Sequence, residues 1–383
     1  MLRSITIKNY RCFESFQVDD LAPINLIAGA NNSGKTSLLE AVYLVVNQLN
    51  PASLFDVMSH RREIVERPPA SRQHRPVFSD VAAEPPRVWP MTKEMAIKQL
   101  FFRHHLDYNQ KISIASQSTT IESPLLFHIS IRPAQNQISV GQNWDKHHIN
   151  MDMIVDYGSD GNAAVGQWSA PVIDDGYIFA QLVSQFPITD PSPPQNQAFF
   201  LTPRRPDFYE IASQLWPKIT LTDKEAIVLE ALQTIEPDVQ GINFTINTRF
   251  NSHGLVKLRG QKEPIHLGSM GGGIGQILNL MCAAVTVDNG VLLVDEIDTG
   301  LHYEVQADMW RLLIKISQKL NLQIFATTHS YDCIAAFSEA LDESGDSSQG
   351  KLFRLDWRGK SGRAIEYPAA HLAIAVNQDI EVR

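Results

Sequence analysis

The hydrophobic residues of this chain are spaced in two ways, and each spacing predicts a different kind of strand. Near the N-terminus, residues 5–16 alternate apolar and polar side chains on both sides of Asn9-Tyr10. This alternation predicts two strands, joined by a short turn, that each bury one face. Three later runs, at residues 24–28, 290–294 and 322–326, are almost continuously apolar. Such runs are typical of strands covered on both faces, as in a parallel sheet.

Helices are predicted between these apolar strands. Residues 37–46 form an apolar helix after the first run, and residues 274–280 form another after a cluster of glycines. Residues 207–216 and 223–235 also have helical spacing, and Thr222 with Glu225 forms a capping box for the second. Alternating apolar strands and helices predict the α/β class with a parallel core sheet.

The middle of the chain is less regular. Short alternating runs at 111–115, 126–131 and 137–140 predict an antiparallel β layer, and residues 92–106 predict a helix. We therefore expect two regions, a core formed by residues 1–50 and 198–383 and an inserted helical and β lobe at 51–197. In the second region of the core, residues 242–250 and 254–259 predict a hairpin, while 351–357 and 365–376 predict a closing strand and helix.

The stretch from Gly29 to Thr36 carries the first chemistry. It fits G-x-x-x-x-G-K-[ST], with Gly34, Lys35 and Thr36 at its end. Glycines let backbone N–H groups turn toward phosphate oxygens, Lys35 adds a cation for the β and γ phosphates, and the Thr36 hydroxyl suits Mg²⁺. The helix that follows points its positive end at the anion. With a strand before it and a helix after it, this loop predicts a nucleoside triphosphate site rather than a chance glycine-rich turn.

Polar residues follow the other two apolar strands. Asp295 and Glu296 end the run at 290–294, and His329 ends the run at 322–326. In a parallel sheet these carboxyl ends meet at one edge, where ligands collect. Asp295 suits the coordination of Mg²⁺, Glu296 suits polarisation of the attacking water, and His329 suits contact with the γ-phosphate or that water. An isolated histidine at a strand end would carry little weight.

A second glycine cluster opens the helix at 274–280. Ser269, Gly271 and Gly272 precede it, and their backbone suits another anion-binding helix N-terminus. One domain cannot easily place two such loops on one triphosphate. The economical geometry is two copies of the chain facing head to tail, each closing the nucleotide of the other. The alternative is a flexible glycine hinge.

Composition excludes several classes of protein. No apolar run reaches the ~18 residues of a membrane span, and the first eight residues alternate like a strand and not like a signal peptide. The three cysteines lie far apart, which argues for a reducing cytoplasm and against a structural zinc site. A net charge of −9 argues against a generally basic coat for nucleic acid, although a local patch is compatible with it.

In this order, the motifs resemble an ABC-type ATPase. The order is the loop at 29–36, the Ser-Met-Gly-Gly-Gly signature, Asp295-Glu296, and the Thr-Thr-His that ends at His329. The chain is similar to the OLD, RecF and SMC-like branch of bacterial AAA family ATPases, because Asn-Tyr-Arg-Cys-Phe at 9–13 is similar to the Asn-Phe-Arg-x-Phe start of those heads. The resemblance covers residues 1–50 and 198–383 well and the rest loosely.

The resemblance implies a set of roles. Arg11 and the loop would contact ATP, Thr36 and Asp295 would hold Mg²⁺, and Glu296 would be the catalytic base. His329 would be the switch histidine, and Lys35 would also take part in catalysis. Ser269, Gly271 and Gly272 would reach the γ-phosphate across a homodimer, or a higher oligomer. The loop residues with a cofactor-binding role are Asn31, Asn32, Ser33, Gly34, Lys35, Thr36 and Ser37.

Two features depart from the family pattern. The loop after Glu296 reads Thr299-Gly-Leu-His302 where Ser-Ala-Leu-Asp is usual, and Gln99 is only a weak match to the Q-loop glutamine. OLD nucleases carry a C-terminal TOPRIM domain, for which too few residues follow His329, so we do not expect the chain to cut DNA by itself.

Two functions remain. The first is an ATP-switched homodimer that acts as the sensor of a separately encoded effector, similar to ATPase subunits of the Septu, PARIS and retron-associated anti-phage systems. The second is a RecF- or SMC-like repair ATPase that binds DNA directly, through residues 61–75 or the cations Lys93, Lys98 and Arg103. A kinase, a GTPase or a transporter ATPase fits the motifs less well.

Overall fold

The structure is a computed structural model. The predicted phosphate-binding loop, residues 29–36, follows a strand of a six-stranded sheet. The residues described are 1–48, 50, 52–67, 92–119, 123–134, 149–159, 166–173, 176–180, 198–203, 208–246, 252–287, 289–358 and 361–383. Strand order in the central sheet is β11-β15-β16-β3-β17-β18, and only β18 is antiparallel to its neighbour. These strands are β3 (Ile24–Gly29), β11 (Ala198–Leu201), β15 (Val291–Val294), β16 (Gln323–Thr327), β17 (Gly350–Arg358) and β18 (Ser361–Pro368).

Both faces of this sheet are buried. Along β3, Ile24 and Leu26 pack into one hydrophobic cluster and Ile27 into the other. Leu292 and Leu293 on β15 divide between the clusters in the same way. Successive side chains of a strand point to opposite faces, so a doubly covered strand must be apolar at every position. For this reason the continuous apolar runs correctly predicted the parallel strands.

Helices lie on both faces of the sheet, and the helix Ala52–His60 packs into the same hydrophobic cluster as the helix that follows the loop. Helix α1, which begins at the end of the loop, is buried along nearly its whole length between the central sheet and a second sheet. Helices α4, α5 and α6 share the opposite cluster with α3. The helices are α1 (Lys35–Val46), α2 (Ala52–His60), α3 (Asp223–Ile235), α4 (Gly272–Thr286), α5 (Tyr303–Leu320), α6 (Tyr331–Ser344) and α7 (Ala369–Asn377).

The second large sheet is antiparallel throughout. Its order is β2-β1-β6-β7-β8-β9, and it packs against α1. Its strands are β1 (Leu2–Tyr10), β2 (Phe13–Val18), β6 (Lys111–Ser118), β7 (Leu125–Pro133), β8 (Ile149–Ser159) and β9 (Gly166–Ile173). The strands predicted for the middle of the chain therefore extend the N-terminal hairpin. The division into a core and an inserted lobe stays a prediction.

Two small three-stranded sheets complete the strands of the described residues. One has the order β10-β5-β4 and the other β12-β13-β14. Their strands are β4 (Ile64–Arg67), β5 (Thr92–Met95), β10 (Ile178–Phe179), β12 (Val239–Ile246), β13 (Ser252–Leu258) and β14 (Ile265–His266). A helical segment of mixed type also runs from Phe208 to Lys218.

Most predicted elements are present. The α/β class, the parallel core and the antiparallel layer are confirmed, and the Thr222 hydroxyl caps α3 by accepting the Lys224 N–H at 3.2 Å. The helix predicted at 92–106 is wrong, because this stretch is β5 followed by two 3₁₀ turns, Ile97–Leu100 and Phe102–His104. Residues 365–368 belong to β18, so the last helix begins later than predicted. The strand predicted at 137–140 lies outside the described residues.

No helix in the described ranges has both the length and the apolar character needed to cross a membrane.

Candidate functional site

The loop between β3 and α1 is held by close packing on its two glycines. A Cβ on Gly34, which has φ +96°, would lie 2.7 Å from Cys12 Sγ and 2.8 Å from Phe13 Cζ. A Cβ on Gly29 would lie 2.9 Å from the Leu355 carbonyl oxygen. Only glycine fits the chain at these points, because the neighbouring strands leave no room and the backbone of Gly34 is left-handed. From the other side, Trp357 Nε1 donates to the Ser33 carbonyl at 2.9 Å.

Lys35 is folded back over the loop that precedes it. Its Nζ donates to the carbonyl oxygens of Gly29 at 2.9 Å and Ala30 at 3.0 Å, and lies 3.4 Å from His329 Nδ1. Burial lowers the pKa of Lys35, while Asp295 and Glu296 partly oppose this shift. The Lys35 ammonium group therefore lies at the carboxyl ends of β3, β15 and β16. These strand ends carry the two carbonyl groups, the two acids and the histidine that surround it.

Asp295 links α1 to β16. Its Oδ2 accepts from Thr36 Oγ1 at 2.9 Å, and its Oδ1 accepts from Thr327 Oγ1 at 2.6 Å. Thr327 Oγ1 in turn accepts the Glu296 N–H at 2.8 Å. Thr327 was not singled out from the sequence, although it orients both acids. Its position inside the Ala-Thr-Thr-His stretch at the end of β16 was the available signal.

Glu296 has a left-handed backbone with φ 51°. This is uncommon for a residue with a side chain, and such strain tends to persist where it positions a functional group. The carboxylate is half-buried and accepts from Thr299 Oγ1 at 3.3 Å. Glu296 and His329 line the same cleft as the loop.

One cleft of about 800 Å³ gathers most of the predicted site residues. Among its lining residues are the loop from Asn31 to Ser37, both acids, His329 and Arg11. Gln99, the weak candidate from the sequence, also lines it. Cys12, Arg61, Phe102, Arg103, His104 and Trp357 line the cleft as well and were not predicted as site residues.

The glycine signature lies elsewhere. Ser269, Gly271 and Gly272 are exposed, and none of them lines the cleft. A Cβ added to Gly271 or Gly272 would meet no atom within 4 Å. Gly271 has φ +93° and immediately precedes α4, and no side chain caps the N-terminus of this helix. Within one copy of the chain, the signature and the loop do not form a single site.

Arg11 is engaged in a buried ion network. Its guanidinium donates to Glu63 at 2.6 and 3.0 Å, and its Nε lies 2.7 Å from Glu40 of α1. Arg61 Nε also donates to Glu40, at 2.6 Å. Burial opposes the charge of Arg11, but Tyr10, Glu40 and Glu63 hold its pKa above the ordinary value. The contact predicted between Arg11 and the nucleotide stays a prediction, and Glu40 and Glu63 form ion pairs with Arg11 in the structure.

The residues of the cleft fit ATP with Mg²⁺. Ser33 Oγ is buried in the loop and has no hydrogen-bond partner among the described residues, so a phosphate oxygen could accept from it. Thr36 Oγ1 and Asp295 Oδ2 are close enough to serve one cation, either directly or through water. Mg²⁺ commonly takes one or two protein ligands together with substrate phosphates. No cluster of three His, Cys, Asp or Glu side chains suited to a metal occurs in the described ranges.

Comparison with known proteins gives a family. Residues 1–137 and 205–334 match the family model described as "AAA ATPase domain". Over 374 residues the chain is 23% identical to an "ATP/GTP phosphatase" of Helicobacter pylori, covering 93% of this chain and 92% of the relative. A shorter match of 54 residues, 14% of this chain and 6% of the relative, is 41% identical to the DNA double-strand break repair Rad50 ATPase of Archaeoglobus fulgidus.

Among solved structures, the chain is similar to the Smc head domain with an extended coiled coil, bound to the C-terminal domain of ScpA derived from Pyrococcus furiosus. The TM-score is 0.46 and the identity 12%, and the alignment covers 99% of each chain.

Proposed function

The chain belongs to the AAA ATPase domain family, and on that basis we propose that it is an ATP-hydrolysing switch in which two copies of the chain close around ATP. The observation that carries the proposal is the separation of two halves of an ATP site. The cleft holds the loop, Asp295, Glu296 and His329, whereas Ser269, Gly271 and Gly272 are exposed and do not line it.

In this proposal each side chain of the cleft has one task. The loop N–H groups and Lys35 bind the phosphates, and Thr36 and Asp295 hold Mg²⁺, which would neutralise charge on the β and γ phosphates. Glu296 accepts a proton from the attacking water, with its backbone fixed by the hydrogen bond to Thr327 Oγ1. His329, beside Lys35, orients the γ-phosphate or that water.

The second copy would supply Ser269, Gly271 and Gly272. Their exposure and the open space around the glycines support a docking role, because a phosphate can approach the backbone N–H groups at the start of α4. Gly300, in the loop after Glu296, is equally open, and its carbonyl oxygen lies 3.8 Å from where a Gly273 Cβ would be. The loop after the acids and the signature are thus neighbours on one face.

The dimer is tested with a variant that binds ATP but hydrolyses it slowly. We expect Glu296→Gln to lower the hydrolysis rate by ~10²-fold or more, on the scale of a lost general base. With MgATP, light scattering after gel filtration should then give the mass of a dimer. Glu304→Gln is the matched control, because Glu304 is an exposed acid at the start of α5 that does not line the cleft.

Ser269→Arg in the Glu296→Gln background separates the two halves of the proposal. It should abolish the dimer while leaving ATP binding by the isolated copy within a few fold. A Glu296→Gln protein that stays monomeric at saturating MgATP would overturn the dimer, and ATP hydrolysis unchanged by that substitution would overturn the role of Glu296.

We further propose that the ATP-bound dimer regulates a separately encoded effector in bacterial anti-phage defence. The support is the likeness of its motifs to ATPase subunits of such systems. The product of a neighbouring gene should copurify with the Glu296→Gln protein in MgATP and not with Lys35→Ala. Loss of phage resistance in Glu296→Gln and Lys35→Ala strains would agree, and full resistance in both would contradict this role.

Direct binding of DNA is the second candidate, and the short likeness to the Rad50 ATPase favours it. The expected cations are dispersed: Lys93 lies 3.7 Å from Glu66, and Lys98 lies over the Tyr177 ring. The helix expected to gather them is absent, and residues 68–75 of the basic segment lie outside the described part. Affinity for DNA that falls steeply with salt would support this function, and affinity absent at low salt would remove it.

A further inference from the structure

One end of the nucleotide cleft is lined by a short turn to which no role in nucleotide binding has been assigned. The 3₁₀ turn Phe102–His104 stands at that end, with Gln99 beside it. We call Phe102–His104 the rim turn. The loop after β3, Asp295, Glu296 and His329 line the same cleft.

The order of groups along α1 indicates which part of a nucleotide would reach the rim turn. Lys35 and Thr36 contact His329 and Asp295, so the β and γ phosphates belong to that end. Ser37 is the next residue of α1, and its Oγ accepts from Arg61 Nη2 at 3.3 Å. The α-phosphate of a bound nucleotide would therefore lie toward Ser37 and Arg61, and its nucleoside would continue in that direction, away from Glu296.

Backbone and side-chain contacts of Arg11, in the turn between β1 and β2, hold the rim turn on the side of the cleft where Ser37 and Arg61 lie. The Arg11 N–H donates to the Leu100 carbonyl at 2.8 Å, and its guanidinium reaches the Gln99 carbonyl at 3.4 Å. Phe101 is fully buried and pairs with Tyr10 in an isolated bridge. Since Cys12 and Phe13, which follow Arg11, pack against Gly34, the rim turn and the phosphate loop are tied to one hairpin.

The side chains of the rim turn are presented to the cleft by a strained backbone. Arg103 and His104 are consecutive and both left-handed, with φ 63° and 55°. The guanidinium of Arg103 lies over the Phe102 ring, 5.1 Å from its centroid. Arg103 is exposed and forms no ion pair with any residue that the structure describes. Two strained non-glycine residues in a row at the edge of a cleft are a feature expected of a ligand-binding segment.

We propose that the rim turn binds the base of the nucleoside triphosphate, with the Arg103 guanidinium stacked on the base and Phe102 supporting the guanidinium. A planar guanidinium stacks on aromatic faces, and Arg and Phe side chains are common platforms for nucleobases. Arg103 is better placed to stack on the base than Lys35, Arg11 or Arg61. Lys35 would bind the phosphates, and Arg11 and Arg61 are paired with Glu40.

This inference rests on the proposed ATP binding and deepens it, so its test must separate the base from the phosphates. Calorimetric titration with MgATP is compared with titration with magnesium tripolyphosphate, which has three phosphates and no nucleoside. The variant is Arg103→Asn, because asparagine tolerates a left-handed backbone while the guanidinium is removed. Lys98→Asn is the matched control, since Lys98 is a neighbouring cation that does not line the cleft.

We expect Arg103→Asn to weaken MgATP binding by about 5- to 100-fold, the range of a lost stacking contact with a base. Its affinity for tripolyphosphate should change less than about 2-fold, and Lys98→Asn should change neither. Phe102→Leu, which keeps an apolar side chain without the ring, should also weaken MgATP selectively. Circular dichroism of each variant shows that the fold is kept.

Three results would overturn the inference. Equal loss of both ligands in Arg103→Asn would make Arg103 a phosphate contact, and unchanged MgATP affinity would remove it from the site. Wild-type protein that binds tripolyphosphate as tightly as MgATP would show that the base is not held. Wild-type protein that binds neither ligand would instead refute the proposed function itself.

Discussion

At the scale of residues, the charge of Lys35 is set by opposing effects. Burial lowers the pKa of Lys35, whereas Asp295 and Glu296 raise it in part. A bound triphosphate would bring further negative charge beside Nζ and so raise this pKa again. The protonated form binds ATP, so the affinity should fall as pH rises through the lowered pKa of the free protein. Binding in that range must then be accompanied by uptake of a proton.

We expect calorimetry in buffers of different ionisation enthalpy to detect this uptake at pH values around the lowered pKa, below the ordinary pKa of lysine. At pH values well below the lowered pKa, where Lys35 is protonated before and after binding, the uptake should vanish. Lys35→Arg keeps a cation that stays protonated throughout, so any residual binding should be free of the effect. Proton uptake of equal size in Lys35→Arg would assign the linkage to another group.

At the scale of elements, the loop after β3 depends on a strained glycine held by the β1–β2 hairpin. In Gly34→Ala the new Cβ would press on Cys12 Sγ and Phe13 Cζ at 2.7 and 2.8 Å. Phe13 cannot easily move, because its ring is stacked on Phe16 at 4.5 Å and on Trp357 at 6.1 Å. The loop must therefore shift, and its phosphate-binding N–H groups shift with it.

We expect Gly34→Ala to lower the free energy of unfolding by about 1–3 kcal/mol and to abolish measurable ATP binding at micromolar protein. Denaturant unfolding and calorimetry measure the two effects. Gly241→Ala is the control, because a Cβ at Gly241 in β12 meets no atom within 4 Å. It should change the free energy of unfolding by less than about 0.5 kcal/mol. Normal ATP affinity in Gly34→Ala would show that the loop does not need this glycine.

Elements formed by interactions between residues close in sequence were predicted correctly, whereas an element formed by partners distant in sequence was not. The loop and the parallel strands were predicted, because Gly34, Lys35 and the apolar runs are local features with one physical solution. The stretch 92–106 was predicted wrongly as a helix. There, β5 pairs with β4 and β10, and Phe101 is drawn into the core beside Tyr10, so partners distant in sequence decide the conformation.

The residues of the candidate site also differ in how well the sequence predicted them. Asp295 and His329 were predicted because they end recognisable strands, whereas the pairing of Arg11 with Glu40 and Glu63 joins three segments and has no sequence motif. Thr327 was missed because a threonine at a strand end has many ordinary explanations. The rim turn was missed since its exposure to the cleft depends on left-handed residues that sequence periodicity does not reveal.

At the scale of the whole molecule, two sheets must keep a fixed relation for the cleft to form. The central sheet supplies the loop, both acids and His329, and the antiparallel sheet supplies the hairpin that carries Arg11 and Cys12. Helix α1 fills the space between the sheets with apolar side chains. Apolar packing is tolerant of small displacements, so directional hydrogen bonds between the sheets have a separate role in fixing their position.

Gln323 makes such a link at the start of β16. Its Oε1 accepts the Leu2 N–H at 2.7 Å, and its Nε2 donates to the carbonyl oxygens of Leu2 and Ala22, both at 2.9 Å. Gln323 is 1% exposed, and Leu2 of β1 and Ala22, between β2 and β3, are buried as well. One glutamine thus satisfies three buried main-chain groups and ties β1 to the central sheet.

Gln323→Leu keeps a side chain of similar size and removes all three hydrogen bonds. We expect it to lower the free energy of unfolding by about 2–5 kcal/mol, because the buried N–H and C=O groups of Leu2 lose Gln323 and each such loss costs about 1–3 kcal/mol. The Ala22 carbonyl keeps a second donor, Asn25 Nδ2, at 2.7 Å. Gln17→Leu is the matched control, since Gln17 is exposed on β2 and bonds only to Asp19. It should change stability by less than about 0.5 kcal/mol. Hydrogen exchange should show β1 opening earlier in Gln323→Leu, before the parallel strands. If both variants lose equal stability, the apolar contacts around α1 alone hold the sheets together.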